Sequence, residues 1–105
     1  MSESVQIALP VDKIREYCAG QPIMRLSVFG SALRDELTPE SDIDLLVEYL
    51  PEAKIGYFEL AQQEIDLSEL IGWKVDLRTP NELNRHFRQE VIDNARPIYA
   101  KGSRR

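Results

Sequence analysis

A small mixed β-sheet packed with helices, α/β in chain order and α+β in layering, is the fold class this sequence predicts. Three observations predict it. The chain has 105 residues, 43% hydrophobic and 30% charged, which suits one soluble core and little more. Apolar residues recur at helical spacing in some segments and in short strand-like runs in others, and the two patterns alternate. Glycine or proline stands between successive segments, at Gly20, Gly30, Pro39, Gly72, Pro80 and Pro97.

Taken in order, Val11, Ile14, Tyr17 and Cys18 fall on one helical face, with Pro10 before them and Gly20 after. Met24 to Phe29 is a short apolar run ending at Gly30, hence a strand. Ser31 to Leu37 reads as a short helix with Ser31 at its start, and Thr38 to Ser41 as a loop, since Pro39 disfavours helix at the residue before it. Asp42 to Val47 is polar where it enters and apolar where it ends, as a strand covered on both faces would be. Tyr57 to Ile71 is a long helix with Leu60, Glu64, Leu67 and Ile71 on one face and Phe58, Ala61, Ile65 and Leu70 beside them, closed by Gly72. Trp73 to Arg78 alternates as a strand, Trp73, Val75 and Leu77 one way and Lys74, Asp76 and Arg78 the other. Thr79-Pro80-Asn81-Glu82 is a capping box with proline at its first helical position, predicting a helix with Leu83, Phe87 and Val91 on a shared face. Arg96-Pro97 stops that helix, Ile98 to Ala100 is a last strand, and residues 101–105 form a flexible basic tail. Nothing repeats and no linker divides the chain, so residues 1–105 are expected to be a single domain with its core over about 20–100. Whether the first two strands turn back or cross over is open.

Composition excludes several classes of function. No apolar run nears the roughly 20 residues that span a membrane, and the first ten residues lack the basic start of a signal peptide. No membrane role is expected, and a cytoplasmic setting is. Cys18 is the lone cysteine and reads as a small core residue. A net charge of -5 speaks against direct nucleic-acid binding over the whole surface. That charge is uneven: residues 1–52 carry -6 and residues 53–105 carry +1. Seven carboxylates lie between Asp35 and Glu52 with no Lys or Arg among them. Glu36, Glu40, Glu48 and Glu52 read as solvated charge, and His86, near Arg85 and Arg88, as surface.

Asp42 and Asp44 differ. One residue apart on a strand, they send both side chains to one face, while Ile43 and Leu45 point to the core. Like charges so placed repel unless a cation compensates them. Oxygen donors suit Mg²⁺ or Mn²⁺, and one Cys with one His cannot make a zinc set. Upstream, with ten residues between it and Asp42, Gly30-Ser31 ends a strand and opens a helix, where a phosphate can meet backbone N–H groups. Ser31 as no more than a helix cap remains an alternative. Asp76, in the polar register of its strand, completes the set if that strand lies beside Asp42–Asp44.

This pattern, Gly30-Ser31-Ala32-Leu33-Arg34 and Ser41-Asp42-Ile43-Asp44 followed by a later Val75-Asp76-Leu77 strand, resembles the nucleotidyltransferases of the DNA polymerase β superfamily. More narrowly it is similar to the minimal nucleotidyltransferases (MNT), over roughly residues 20–100. The resemblance implies a polymerase β-like fold, metal ligation and catalysis by Asp42, Asp44 and Asp76, two Mg²⁺ ions, and triphosphate contact by Gly30 and Ser31. Arg34 could serve phosphate, partner or fold. It further implies a HEPN-family toxin as partner, inactivated by transfer of AMP from ATP (AMPylation), with this chain as the antitoxin of the pair. A hydroxyl from another chain is then the acceptor, so a hetero-oligomer or homo-oligomer is open. Two alternatives stand beside it: neutralisation of the toxin by binding alone, and nucleotidyl transfer to a small molecule.

Overall fold

The computed structural model describes residues 9–30 and 40–101. In chain order they form α1 (Val11–Ala19), β1 (Ile23–Phe29), β2 (Ile43–Tyr49), α2 (Tyr57–Ile71), β3 (Val75–Arg78), a 3₁₀ turn (Pro80–Glu82), α3 (Arg88–Asn94) and β4 (Arg96–Ala100). The four strands make one mixed sheet in the order β3-β2-β1-β4. β1 runs antiparallel to both β2 and β4, and β2 runs parallel to β3. The parallel pair is joined through α2, as parallel strands require a long crossover. The first two strands therefore turn back on one another.

One face of the sheet carries the core. Ile23, Leu26 and Val28 of β1, Ile43, Leu45 and Val47 of β2, Val75 and Leu77 of β3 and Ile98 of β4 pack with Ile14 and Cys18 of α1 and Leu67 of α2. The alternation of these residues with polar ones fixes the register, because a slip of one residue would bury the acids of β2 and β3. Cys18 is fully buried, and desolvation pushes its thiol up to about 11. Tyr17 ties the two core helices together by donating to Asp66 at 2.7 Å.

α2 has the bounds its periodicity predicts. Glu59 accepts the N–H of Gly56 at 2.8 Å, and Gly72 ends the helix at φ 79°, where a side chain would be strained. Glu64, which interrupts the apolar stripe, has a structural task. It accepts the N–H of Leu77 at 2.8 Å, and Ser68 one turn later accepts that of Val75 at 3.0 Å. These side chains satisfy the outer edge of β3, which has no neighbouring strand among the described residues. Phe58 and Ile65, expected beside the stripe, are instead exposed.

Other expectations are corrected. The Thr79–Glu82 capping box forms, with Thr79 N–H donating to Glu82 at 3.0 Å, but it opens a 3₁₀ turn and not a continuous helix. Asn84 interrupts the helix, its side chain accepting from His86 N–H at 2.8 Å and its carbonyl from Phe87 N–H at 2.9 Å. The Arg88 guanidinium then takes the carbonyls of Pro80, at 2.8 Å, and Leu83, at 3.3 Å. α3 is left with seven residues, none buried, and Phe87 is exposed. β2 begins at Ile43 and β3 at Val75, so Asp42 and Trp73 lie just ahead of their strands. The short helix expected from Ser31 and most of the basic tail lie outside the described residues.

Candidate active site

Opposite the helices, the other sheet face presents the alternate residues of each strand. These are Arg25, Ser27 and Phe29 of β1, Asp44, Leu46 and Glu48 of β2, and Asp76 and Arg78 of β3. Asp44 is the register partner of Asp76 on one side and of Phe29 on the other. Paired strands lie about 4.8 Å apart, so the Asp44 and Asp76 carboxylates can reach a common ion. Both are half-buried, and so is Asp42 two residues before Asp44.

Asp42 is positioned from the opposite direction. The Trp73 indole N–H donates to the carbonyl of Ser41 at 2.6 Å, and Ile43 N–H donates to the carbonyl of Lys74 at 2.9 Å. The segment carrying Asp42 is thereby pinned to the segment entering β3. Trp73 follows the helix cap Gly72 directly, so α2, Trp73 and Asp42 are fixed in sequence.

Gly30 ends β1 with φ 76°, a backbone conformation that L side chains rarely adopt. A Cβ there would fall onto the Asp44 carboxylate oxygen, and would stand 3.1 Å from its Cγ. The glycine is required both by its dihedral angle and by the acid beside it. Sequence reasoning expected Gly30 to give a ligand access to the backbone; the group that approaches it here is Asp44. Ser31 and Arg34 lie outside the described residues.

Asp76 has a partner that sequence reasoning did not draw. Arg78 donates to Asp76 Oδ2 from Nη2 at 3.1 Å and from Nε at 3.3 Å. The hydrogen bond to Asp76, the charge of Asp76, and the charges of Glu82 and Asp44 raise the guanidinium further above its ordinary pKa. The signal was visible, since Asp76 and Arg78 sit two apart in one polar register. Among the described residues, no three His, Cys, Asp or Glu side chains converge closely enough to hold a metal as they lie. Asp76 is drawn to Arg78 instead.

The donor set nevertheless suits a hard divalent cation. Asp44 and Asp76 are adjacent across the ladder, Asp42 shares their parity, and Gly30 keeps the flank of Asp44 free of a side chain. The soft donors are elsewhere: Cys18 is in the core and His86 is exposed. Beside Asp76 and Arg78 runs a cleft of about 240 Å³ bordered by Tyr57, Leu60 and Glu82. The same three residues border a larger cleft of about 580 Å³ that extends to Met24, Tyr49 and Ile55.

The profile of the nucleotidyltransferase domain matches residues 11–99. Two proteins of Methanocaldococcus jannaschii, each named "Putative protein adenylyltransferase", are 35% and 42% identical to this chain over 71 residues, covering 68% of it and 70% of each relative. A solved structure described as a "putative minimal nucleotidyltransferase" superposes with a TM-score of 0.69 at 29% identity, over 81% of this chain and 85% of that one. A toxin–antitoxin crystal structure with AMP-PNP superposes at 0.72 with 18% identity, over 90% of this chain and 76% of that one, and so shares the fold. The same holds at 0.63 and 16% identity for the complex of a tri-AMPylated Shewanella oneidensis HEPN toxin with its MNT antitoxin, over 87% and 70% of the two chains. From α1 through the strands bearing Asp44 and Asp76 to β4, this chain belongs to the nucleotidyltransferase domain family.

Proposed function

We propose that this nucleotidyltransferase transfers AMP from ATP, with Mg²⁺, to a hydroxyl of a partner HEPN ribonuclease toxin and thereby acts as its antitoxin. The observation that carries the reading is the pairing of Asp44 with Asp76 on neighbouring strands of the sheet face opposite α1 and α2, beside the Gly30 turn. Asp42, Asp44 and Asp76 would hold the metal, two ions in the full complex. When bound, these ions screen the phosphates and activate the attacking and leaving oxygens. Gly30 and Ser31 would contact the triphosphate, with Arg34 as a further anion contact. The acceptor oxygen attacks the α-phosphorus, the bond to the β-phosphate oxygen breaks, and pyrophosphate leaves. Asp76 would draw the acceptor's proton. The cleft beside Asp76, and the larger one that shares its Tyr57, Leu60 and Glu82 border, would give an acceptor segment from a second chain room to dock.

The AMP-PNP and HEPN complexes of the structural neighbours support ATP as donor and a HEPN protein as acceptor. The reading takes residues 1–105 as one catalytic domain working in the cytoplasm within a hetero-oligomer. Among the described residues no helix is long and apolar enough to cross a membrane. Co-expression with a HEPN-family toxin, taken from the gene next to its own if one lies there, tests the proposal. Intact-mass spectrometry should find the partner carrying AMP with the wild type and bare with Asp42→Asn/Asp44→Asn, and growth should be rescued by the wild type alone. Full rescue by the double variant would favour neutralisation by binding.

A further inference from the structure

We propose that Arg78 is a built-in cation of the catalytic face, holding Asp76 until a divalent ion takes that carboxylate and then turning to a phosphate oxygen of the nucleotide. The inference rests on the nucleotidyl-transfer reading above.

Its basis is geometric. Arg78 and Asp76 are two apart on β3, so both project from the sheet face that carries Asp44. Two guanidinium nitrogens, Nη2 and Nε, bond the same oxygen, Asp76 Oδ2. The grip is reversible. The Arg78 side chain is 46% exposed and that of Asp76 30%, and an ion pair so exposed to water is weak. A divalent ion concentrates more charge on the carboxylate than a delocalised guanidinium does, so it wins the competition. Arg78 is the last residue of β3 and borders the cleft of about 240 Å³, which gives its side chain somewhere to swing.

Electrostatics set where it goes next. A guanidinium stays charged at any working pH, so Arg78 keeps its charge throughout. Once a divalent ion sits on Asp76, the guanidinium is repelled from it and needs another anion. A triphosphate brought to the same face supplies oxygens that match the planar fork of an arginine. Arg25, the other arginine of this face among the described strand residues, is bonded to Glu48 at 3.4 Å, two residues further along β2 from Leu46, the register partner of Arg78.

Isothermal titration of Mn²⁺ without nucleotide tests the first half, on the wild type, R78Q and R78K. R78Q should bind Mn²⁺ about 3- to 10-fold more tightly, because the competing charge is gone, and R78K should stay near the wild type. Titration with the non-hydrolysable AMP-PNP and Mn²⁺ tests the second half. R78Q should bind it about 10-fold more weakly, and R78K, which keeps the charge but loses the fork, should fall between. Circular dichroism melts establish that each variant is folded; should R78Q not fold, R78K decides on the nucleotide titration. Unchanged or weaker Mn²⁺ binding by folded R78Q, or nucleotide binding by R78K equal to the wild type, overturns the inference. A wild type that binds neither Mn²⁺ nor AMP-PNP overturns the nucleotidyl-transfer reading itself.

Discussion

Gly30 and Asp44 constrain one another: the left-handed turn at Gly30 brings its Cα against the acid, and the acid fills the volume a side chain would need. Gly30→Ala should therefore lower stability by about 1–3 kcal/mol from backbone strain, and displace Asp44 as well. Urea unfolding measures the first effect, and loss of Mn²⁺ affinity in the folded variant measures the second. Burial gives a different kind of prediction. Cys18 is pushed from its ordinary 9.0 up to about 11 by desolvation, and Tyr49 from 10.0 to about 12 by burial first and then by Glu82 and Glu59. Both groups prefer their neutral form in the folded chain. Their contribution is fully present below about pH 9 and is lost as pH rises through about 11–12. The urea midpoint should be flat through pH 8 and decline above pH 9, and Cys18 should resist thiol reagents until the chain unfolds.

Among the elements, the outer edges of the sheet show how helices and strands support one another. β3 is closed by Glu64 and Ser68, one turn apart on α2, and β4 carries Pro97, which has no N–H to leave unpaired. Arg15 of α1 reaches the carbonyl of Ile98 at 2.8 Å on that second edge. Glu64→Ala would leave the Leu77 N–H without its acceptor and should destabilise by about 1–2 kcal/mol, whereas Glu64→Gln keeps an acceptor and should lose less. Differential urea unfolding measures both. The elements differ in how legible they were. α2 was readable because its apolar period and its C-cap glycine agree. The last helix was not, because a sound capping box was followed by Asn84 and Arg88, whose side chains compete for the backbone groups a helix needs. Glu64 looked like a flaw in a stripe, since a strand edge three-dimensionally adjacent to a helix leaves no mark at helical spacing.

Across the whole molecule, the strand order β3-β2-β1-β4 brings residues 30, 44 and 76 to one place from three parts of the chain. Their shared face could be read from alternation. Their adjacency could not: it depended on β2 and β3 being parallel neighbours in register, and no local pattern sets that. Arg78 shows the same limit at the site, since its parity was legible and its grip on Asp76 depended on the side-chain arrangement at the end of β3. What the fold contributes is one rigid strand pair that carries Asp44 and Asp76, with Trp73 and Gly30 fixing the approaches from either side. The central claim is that this face transfers a nucleotidyl group. The most direct measurement incubates the chain, Mg²⁺ and the proposed HEPN partner with ATP labelled either at the α- or at the γ-phosphate. Label from the α-phosphate, and none from the γ-phosphate, should remain on the partner, and Asp42→Asn/Asp44→Asn should transfer neither. Retention of the γ-label, or equal α-labelling by the double variant, would contradict the account.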